Sequence, residues 1–433
     1  MSTDLEHHIQ TTPLVDTHEH IRKEPEYVTN GPDVLLALFH NYVGLDMFTA
    51  GGPPEPMERF IFTSDPDIEG RWKGVQPYWE YCQYTSYGQA VRTAARLVYG
   101  MEEITLEGLL AASERNAQLR QPGERLRLLR DLAHLDHIQV DDQVWACLPD
   151  ESGPEFFLYD LSWGMFSEAD VNAADIHAET QVDVRDLASL RQAMEALFAK
   201  YGGCAIAIKT AHAYERTLAW RERDDSDAAP VLDKVLRGQA ISEAERLCLG
   251  DWCLARGVEL AIEHHLPVKI HTGLMAFNAT MIDPDRLRPA HLAPLLMRYG
   301  DARFVLMHMS YPYMAELLAV AKNFPCVYVD MCWGWAIDFR GAVEFMRRLI
   351  HAVPVNKIFA FGGDTFWPTL AVGYAAQARA GLVRALQAEI DDGYLSEAEA
   401  IHIATRVMHA NQYACFDIDG TRAAIRAQMA LAR

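Results

Sequence analysis

A parallel (β/α)8 barrel, the TIM-barrel architecture of the α/β class, is the fold this sequence predicts, on three observations. Eight short, near-continuously apolar runs recur along the 433 residues, most separated by segments of helical period. Runs of that kind suit parallel strands buried on both faces. Several of them close on a histidine, lysine or aspartate, and barrels of this type carry their chemistry at C-terminal strand ends. No internal repeat or low-complexity tract competes, so the chain reads as one domain spanning residues 1–433.

The first run is Leu14-Val15-Asp16-Thr17-His18-Glu19-His20-Ile21. In a strand, residues i and i+2 share a face, so His18 and His20 present their imidazoles side by side. Residues 22 to about 130 then break the alternation and read as a helical insertion. Asp33 to Phe48 reads as one apolar helix, followed by a turn-rich loop from Ala50 to Pro56. Trp72 to Tyr87, Leu106 to Leu119 and Glu124 to Leu135 are further helices by period. The aromatic rings of the insertion suit packing; the alternative is a cap lowering one or two aromatic rings and an arginine over a pocket.

From about residue 137 strands and helices alternate. The strands are His137–Val140, Phe156–Leu161, Cys204–Lys209, Pro267–His271, Phe304–His308, Val327–Asp330 and Ile358–Phe361, the last leading through Gly362-Gly363 into Asp364. Asp186 to Tyr201, with Gly202-Gly203 as its stop, and Ser242 to His264 read as crossover helices. Thr369 to Asp391 and Glu397 to Ala410 are C-terminal helices.

Composition narrows the partners. Sixty acidic against 39 basic side chains give a formal charge of −21, which repels phosphate backbones and anionic lipid. Nucleic acid and membrane are thereby disfavoured, and a small-molecule substrate is expected, with a homo-oligomer left open. Met1 to Gln10 lacks the pattern of a signal peptide, and no apolar run approaches about 18 residues. Eight scattered cysteines without a CxxC pair favour reduced thiols and a cytoplasmic location.

Strand ends thus carry His18, His20, Lys209, His271, His308 and Asp364. Each alone has a plain explanation: a snorkelling lysine, a hydrogen-bonded core histidine, an aspartate capping the next helix. Together they form a mixed imidazole and carboxylate set suited to a divalent metal, zinc first. Asp364 could then serve as proton carrier, and Gly362-Gly363 would allow close backbone approach. Arg22, Tyr214, Arg216, Tyr311, Trp333, Trp335 and Trp367 follow strand ends, where substrate contacts lie; of these Arg22, Tyr214, Arg216 and Trp333 are the substrate-binding candidates.

The arrangement resembles the amidohydrolase superfamily, whose barrels carry His-x-His on strand one, histidines on strands five and six, and aspartate on strand eight. Within it the chain looks closest to the branch of "amidohydrolase 2" proteins and uronate isomerases. Pro267-Val268-Lys269-Ile270-His271-Thr272-Gly273 and the helical insertion are similar to the isomerases, whereas His308 departs from them. Lys209 to Arg216 is similar to a segment of uncharacterised members.

The resemblance implies that His18, His20, His271 and Asp364 hold one ion. His308 would bind a second ion or orient water or carbonyl, and Lys209, if carboxylated, would bridge two ions. An unmodified Lys209 would turn neutral or bind a substrate carboxylate. The implied function is metal-dependent hydrolysis of a small, carboxylated amide, lactone or ester, with Asp364, His308 and Lys209 catalytic. Decarboxylation or uronate-type isomerisation is the alternative, and a catalytically silent metal- or partner-binding barrel a third reading.

Overall fold

The computed structural model describes residues 4–40, 42–276 and 283–431. Among them eight strands lie side by side in chain order: β1 (Leu14–Glu19), β2 (Leu135–Val140), β3 (Phe157–Ser162), β4 (Ala205–Thr210), β5 (Val268–Ile270), β6 (Phe304–Leu306), β7 (Val327–Asp330) and β8 (Ile358–Phe359). Every neighbouring pair is parallel. Just past β8 the chain turns back onto β1, where the Thr17 amide donates to the Phe361 carbonyl at 3.1 Å and the Asp364 amide to that of His18 at 2.8 Å. The barrel is nearly closed, as the eight apolar runs predict.

Strand period stacks the interior in layers. The lowest holds Leu158, Val305 and Phe359, packed with Phe416, Ile418 and Ile425 from the C-terminal segment. Above it lies a polar layer centred on Lys269, whose ammonium donates to the Thr17 carbonyl (2.7 Å) and Gln139 Oε1 (3.0 Å) and pairs with Asp160 Oδ2 (2.7 Å). The next residues along β2, β4 and β5, two positions further, are Asp141, Lys209 and His271, and they line the cavity at the C-terminal mouth.

Crossover helices begin and end where their caps dictate. Asp186 accepts from the Ser189 amide and opens Leu187–Tyr201. A reciprocal Ser242–Glu245 capping box opens Glu243–Glu263, and Ser396–Glu399 does the same for Glu397–Thr405. The long C-terminal helix is Pro368–Asp391.

The insertion differs from expectation in four places, the last being Glu124 to Leu135, whose helical part ends at Leu132 because Leu135 already opens β2. The single helix from Asp33 to Phe48 is two, Val34–Phe39 and Tyr42–Thr49, because the chain leaves helical geometry at His40 (ψ 64°). The proline-rich loop at residues 50–56 opens a helix, Pro54–Phe62, with prolines in its first turn where no amide partner is needed. Trp72 to Tyr87 is the end of Ile68–Cys82 and the start of Ser86–Tyr99, which Thr85 caps. Trp72 and Trp79 are buried against Phe39, with ring centroids 5.8 and 5.3 Å away. Tyr81 and Tyr84 point to solvent, whereas Tyr42 of the same insertion brings one ring to the cavity. No helix among the described residues is long and apolar enough to cross a membrane. All eight cysteines are free.

Candidate metal centre

Asp364 sits where the barrel seam meets the two histidines of β1. Its Oδ1 lies 3.3 Å from Nε2 of His18 and 3.4 Å from Nε2 of His20, while its Oδ2 lies 4.0 Å from Nδ1 of His308. Its φ of +56° is rare for a residue with a side chain, and both ends of its peptide are held: the amide by His18, the carbonyl by the Tyr42 hydroxyl at 2.9 Å. His308 (φ +65°) and Trp333 (φ +60°) share that conformation beside it. Close approach explains the glycines before Asp364. A Cβ on Gly363 would fall 2.0 Å from Oε1 of Glu19, and one on Gly362 2.7 Å from the Cys332 sulfur.

One donor atom from each of His18, His20 and Asp364 lies within 4.8 Å of the others, a spacing that suits ligands around one small dication. The His20 tautomer fits as well. Its Nδ1 donates to the Asp141 carbonyl at 2.6 Å, which leaves a lone pair on Nε2. Burial, then the charge of Lys209, holds His18 well below the usual imidazole range, and so keeps it neutral as a ligand must be. Asp364 stays ionised: burial works against it, but the imidazoles of His18 and His20 beside it bring it well below the carboxylate range. The residues present fit a divalent metal.

The other predicted ligands surround this trio without joining it. His271 donates from Nε2 to the Leu274 carbonyl at 2.9 Å, and its ring lies 4.3 Å from that of His308. Burial, then Lys209, pushes His271 down to about 4. His308 is fully buried, with Nε2 lacking a hydrogen-bond partner and Nδ1 3.4 Å from the Cys332 carbonyl. Lys209 is buried and paired with Asp141 Oδ2 at 3.2 Å. Burial would raise Asp141, yet Lys209 and the two β1 histidines bring it to about 2. Asp141 escaped the sequence reading. It follows β2 as Asp364 follows β8, but Asp142 beside it carried the same signal.

Of the substrate-binding candidates, Tyr214 alone lines the cavity, where its hydroxyl accepts from the Ala276 amide at 2.9 Å. The structure corrects the other three. Arg216 is fully buried, its guanidinium bound to Asp251 and to the carbonyls of Ser167 and Ala219. Arg22 is about half exposed and faces Glu26 at 3.8 Å. Trp333 packs edge-on against His308 with centroids 5.5 Å apart and, with Tyr42 and Ala276, lines a smaller neighbouring pocket in place of the cavity itself. Tyr42, Glu168 and Phe366 line the cavity instead. Tyr42 and Phe366 gave no signal in the sequence, since one lies in the insertion and the other in a loop.

The cavity measures about 440 Å³, the size of a small-molecule site. Glu168 and Glu215 line one side, and burial together with Glu215 raises Glu168 to about 7.

Beneath the centre, Glu19 turns away from the two histidines and accepts from the Thr365 amide and hydroxyl at 2.5 and 2.8 Å. Burial and the neighbouring Asp16 hold its carboxyl well above the usual range. The residue between the two histidines is thus a brace for the Asp364 loop.

Comparison with known proteins supports the fold and the family. The chain has the fold of a uronate isomerase from Thermotoga maritima (TM-score 0.78, 17% identity, 95% of this chain and 96% of that one). A glucuronate isomerase from Caulobacter crescentus is similar (0.76, 16%, 96% and 93%). So is a Lactobacillus casei protein described as a candidate metal-dependent hydrolase (0.65, 15%, 97% and 99%). At such identities the likeness speaks for the fold alone. Protein fluG of Emericella nidulans is 24% identical over 225 residues, 49% of this chain, and the match spans 26% of that relative's length. The family model described as Amidohydrolase matches residues 175–401, which takes in Lys209, His271, His308 and Asp364. With that match running through more than half of its length, the chain belongs to the amidohydrolase family.

Proposed function

We propose that the chain is a metal-dependent hydrolase of a small amide, lactone or ester. His18, His20 and Asp364 would hold the divalent metal, zinc first, with His271 the next candidate ligand. The observation that carries this reading is the division of labour on Asp364, whose Oδ1 faces two imidazoles while Oδ2 faces a third. Held there, a dication would supply Lewis acidity toward a substrate oxygen and a water of lowered pKa. Asp364 Oδ2 would take the proton of the attacking water and return it to the leaving group. His308, held neutral by burial and then by its neighbour His271, would orient that carboxylate or the substrate oxygen. Tyr42 fixes the Asp364 peptide, and Lys209 fixes Asp141, which in turn sets the His20 tautomer.

A substrate carboxylate is the less favoured part of the earlier expectation. Lys209 is the one lysine or arginine among the described cavity-lining residues, and Asp141 already meets its charge. An anionic group would have to displace Asp141.

Two measurements test the proposal. Protein purified without chelator should contain about one divalent metal per chain, and a His18→Ala, His20→Ala double variant almost none; equal contents would remove the centre. A panel of amides, lactones and esters in oxygen-18 water should then give labelled product. Carbon dioxide release would instead mean decarboxylation, and turnover at constant mass isomerisation.

A further inference from the structure

From the apolar arm of the cavity we infer that the substrate carries an aryl or short branched alkyl group, seated beside Phe62 and Phe366. This rests on the metal-centre reading above. A second cavity of about 190 Å³ is lined by His40, Leu45, Ile61 and Phe62, together with Tyr42, Ala276 and Phe366. The last three also line the main cavity, so the two spaces share one wall. Phe366 stacks on His20 at 5.5 Å and, on the pocket side, on His40 at 5.5 Å. One ring therefore separates the arm from a candidate metal ligand.

The chemistry of the arm is one-sided. Among the described lining residues two side chains are polar: the Tyr42 hydroxyl donates to the Asp364 carbonyl, and His40 Nδ1 accepts from the Trp367 indole at 2.9 Å, which puts the ring proton on Nε2 as the one side-chain donor left. Among the described residues, no lining side chain carries a carboxylate, guanidinium or ammonium. Phe62, at the rim, is 52% exposed, a large apolar surface that an occupant would cover. An apolar cavity of about 150 Å³ already accepts a benzene ring. A polyhydroxylated sugar acid would leave most of its hydroxyls unpartnered here, whereas a phenyl or branched alkyl group has none to satisfy. The helical insertion builds this wall through His40, Leu45, Ile61 and Phe62, and the arm gives it a role in selection.

The test uses zinc-loaded full-length protein and two hydroxamates, which grip zinc through the same head group. Calorimetry should find phenylacetohydroxamate bound about 10- to 100-fold more tightly than acetohydroxamate, the range one apolar group gains in a matching pocket. Phe62→Ser should reduce that ratio at least fivefold and leave acetohydroxamate binding unchanged, which shows the rest of the site intact. Equal affinities in the wild type, or a ratio untouched by Phe62→Ser and by Leu45→Gln, would overturn the inference and leave the metal centre standing. If neither hydroxamate bound the zinc-loaded protein, the metal reading would fall and the inference with it.

Discussion

Replacing Lys269 by methionine should loosen the barrel from the inside. Its ammonium is fully buried, as is Asp160, and it supplies three acceptors: Asp160, the Thr17 carbonyl and Gln139. Removing one partner of a buried pair costs about 3–5 kcal/mol, because the other charge is left without compensation. Here the lower end applies. Burial has already pushed Asp160 up to about 7 against the pull of Lys269, so near neutral pH the orphaned carboxyl can take a proton cheaply. We expect a loss of about 3 kcal/mol at neutral pH. With an unfolding entropy of about 2 cal/mol/K per residue, that lowers the melting temperature by roughly 3 °C.

The pH dependence has a definite sign. Asp160 titrates above its unfolded value, so its contribution to stability is complete below an unfolded pKa of about 4 and drains as pH rises through about 7. Without Lys269 that midpoint climbs further, and the deficit of the variant against wild type should widen from roughly pH 6 to pH 9. Thermal scans at fixed rate across that range provide the assay. The paired variant Lys269→Met, Asp160→Leu should recover at least half of the loss, since apolar replacement of a whole buried pair is often neutral. A single variant melting within about 1 °C of wild type at every pH would refute the reasoning, as would a double variant no better than the single.

Two further outcomes follow from the same geometry. Asp364→Asn keeps the shape and one acceptor oxygen but cannot take up a proton, so turnover should fall about 10²–10⁴-fold with hydroxamate affinity largely kept; activity within threefold of wild type would move the base to His308. Arg216→Met should lower stability by about 3 kcal/mol, the lower end for a broken buried pair because Asp251 keeps Arg223 at 3.2 Å, while KM in the surviving folded protein stays within twofold; a selective rise in KM would return Arg216 to the substrate.

Strand period and apolar runs made the barrel legible, because a strand buried on both faces leaves an unbroken signature. His18, His20, Lys209, His271, His308 and Asp364 were legible for the same reason, each being a polar residue closing such a run. What a run cannot say is how far past its end a side chain travels. Arg216 lies only six residues beyond β4, yet a short turn at His212–Tyr214 carries it back to Asp251 on the Glu243–Glu263 helix. Asp141 and Asp364 carried the same signal, and only the closing of the barrel separates their roles. Asp364 meets the imidazoles because β8 returns to β1, whereas Asp141, one strand away on the other side, offers its backbone carbonyl to His20 and its carboxylate to Lys209. The insertion was least legible, since its helices pack on one another and on the distant Pro368–Asp391 helix, and its breaks follow tertiary contacts. His40 leaves the helix where its ring meets Phe366 and Trp367, and neither lies within 300 residues of it in the chain. Local pattern therefore reveals the strand-end chemistry of this barrel, while the wall that would select a substrate is written in contacts between distant segments.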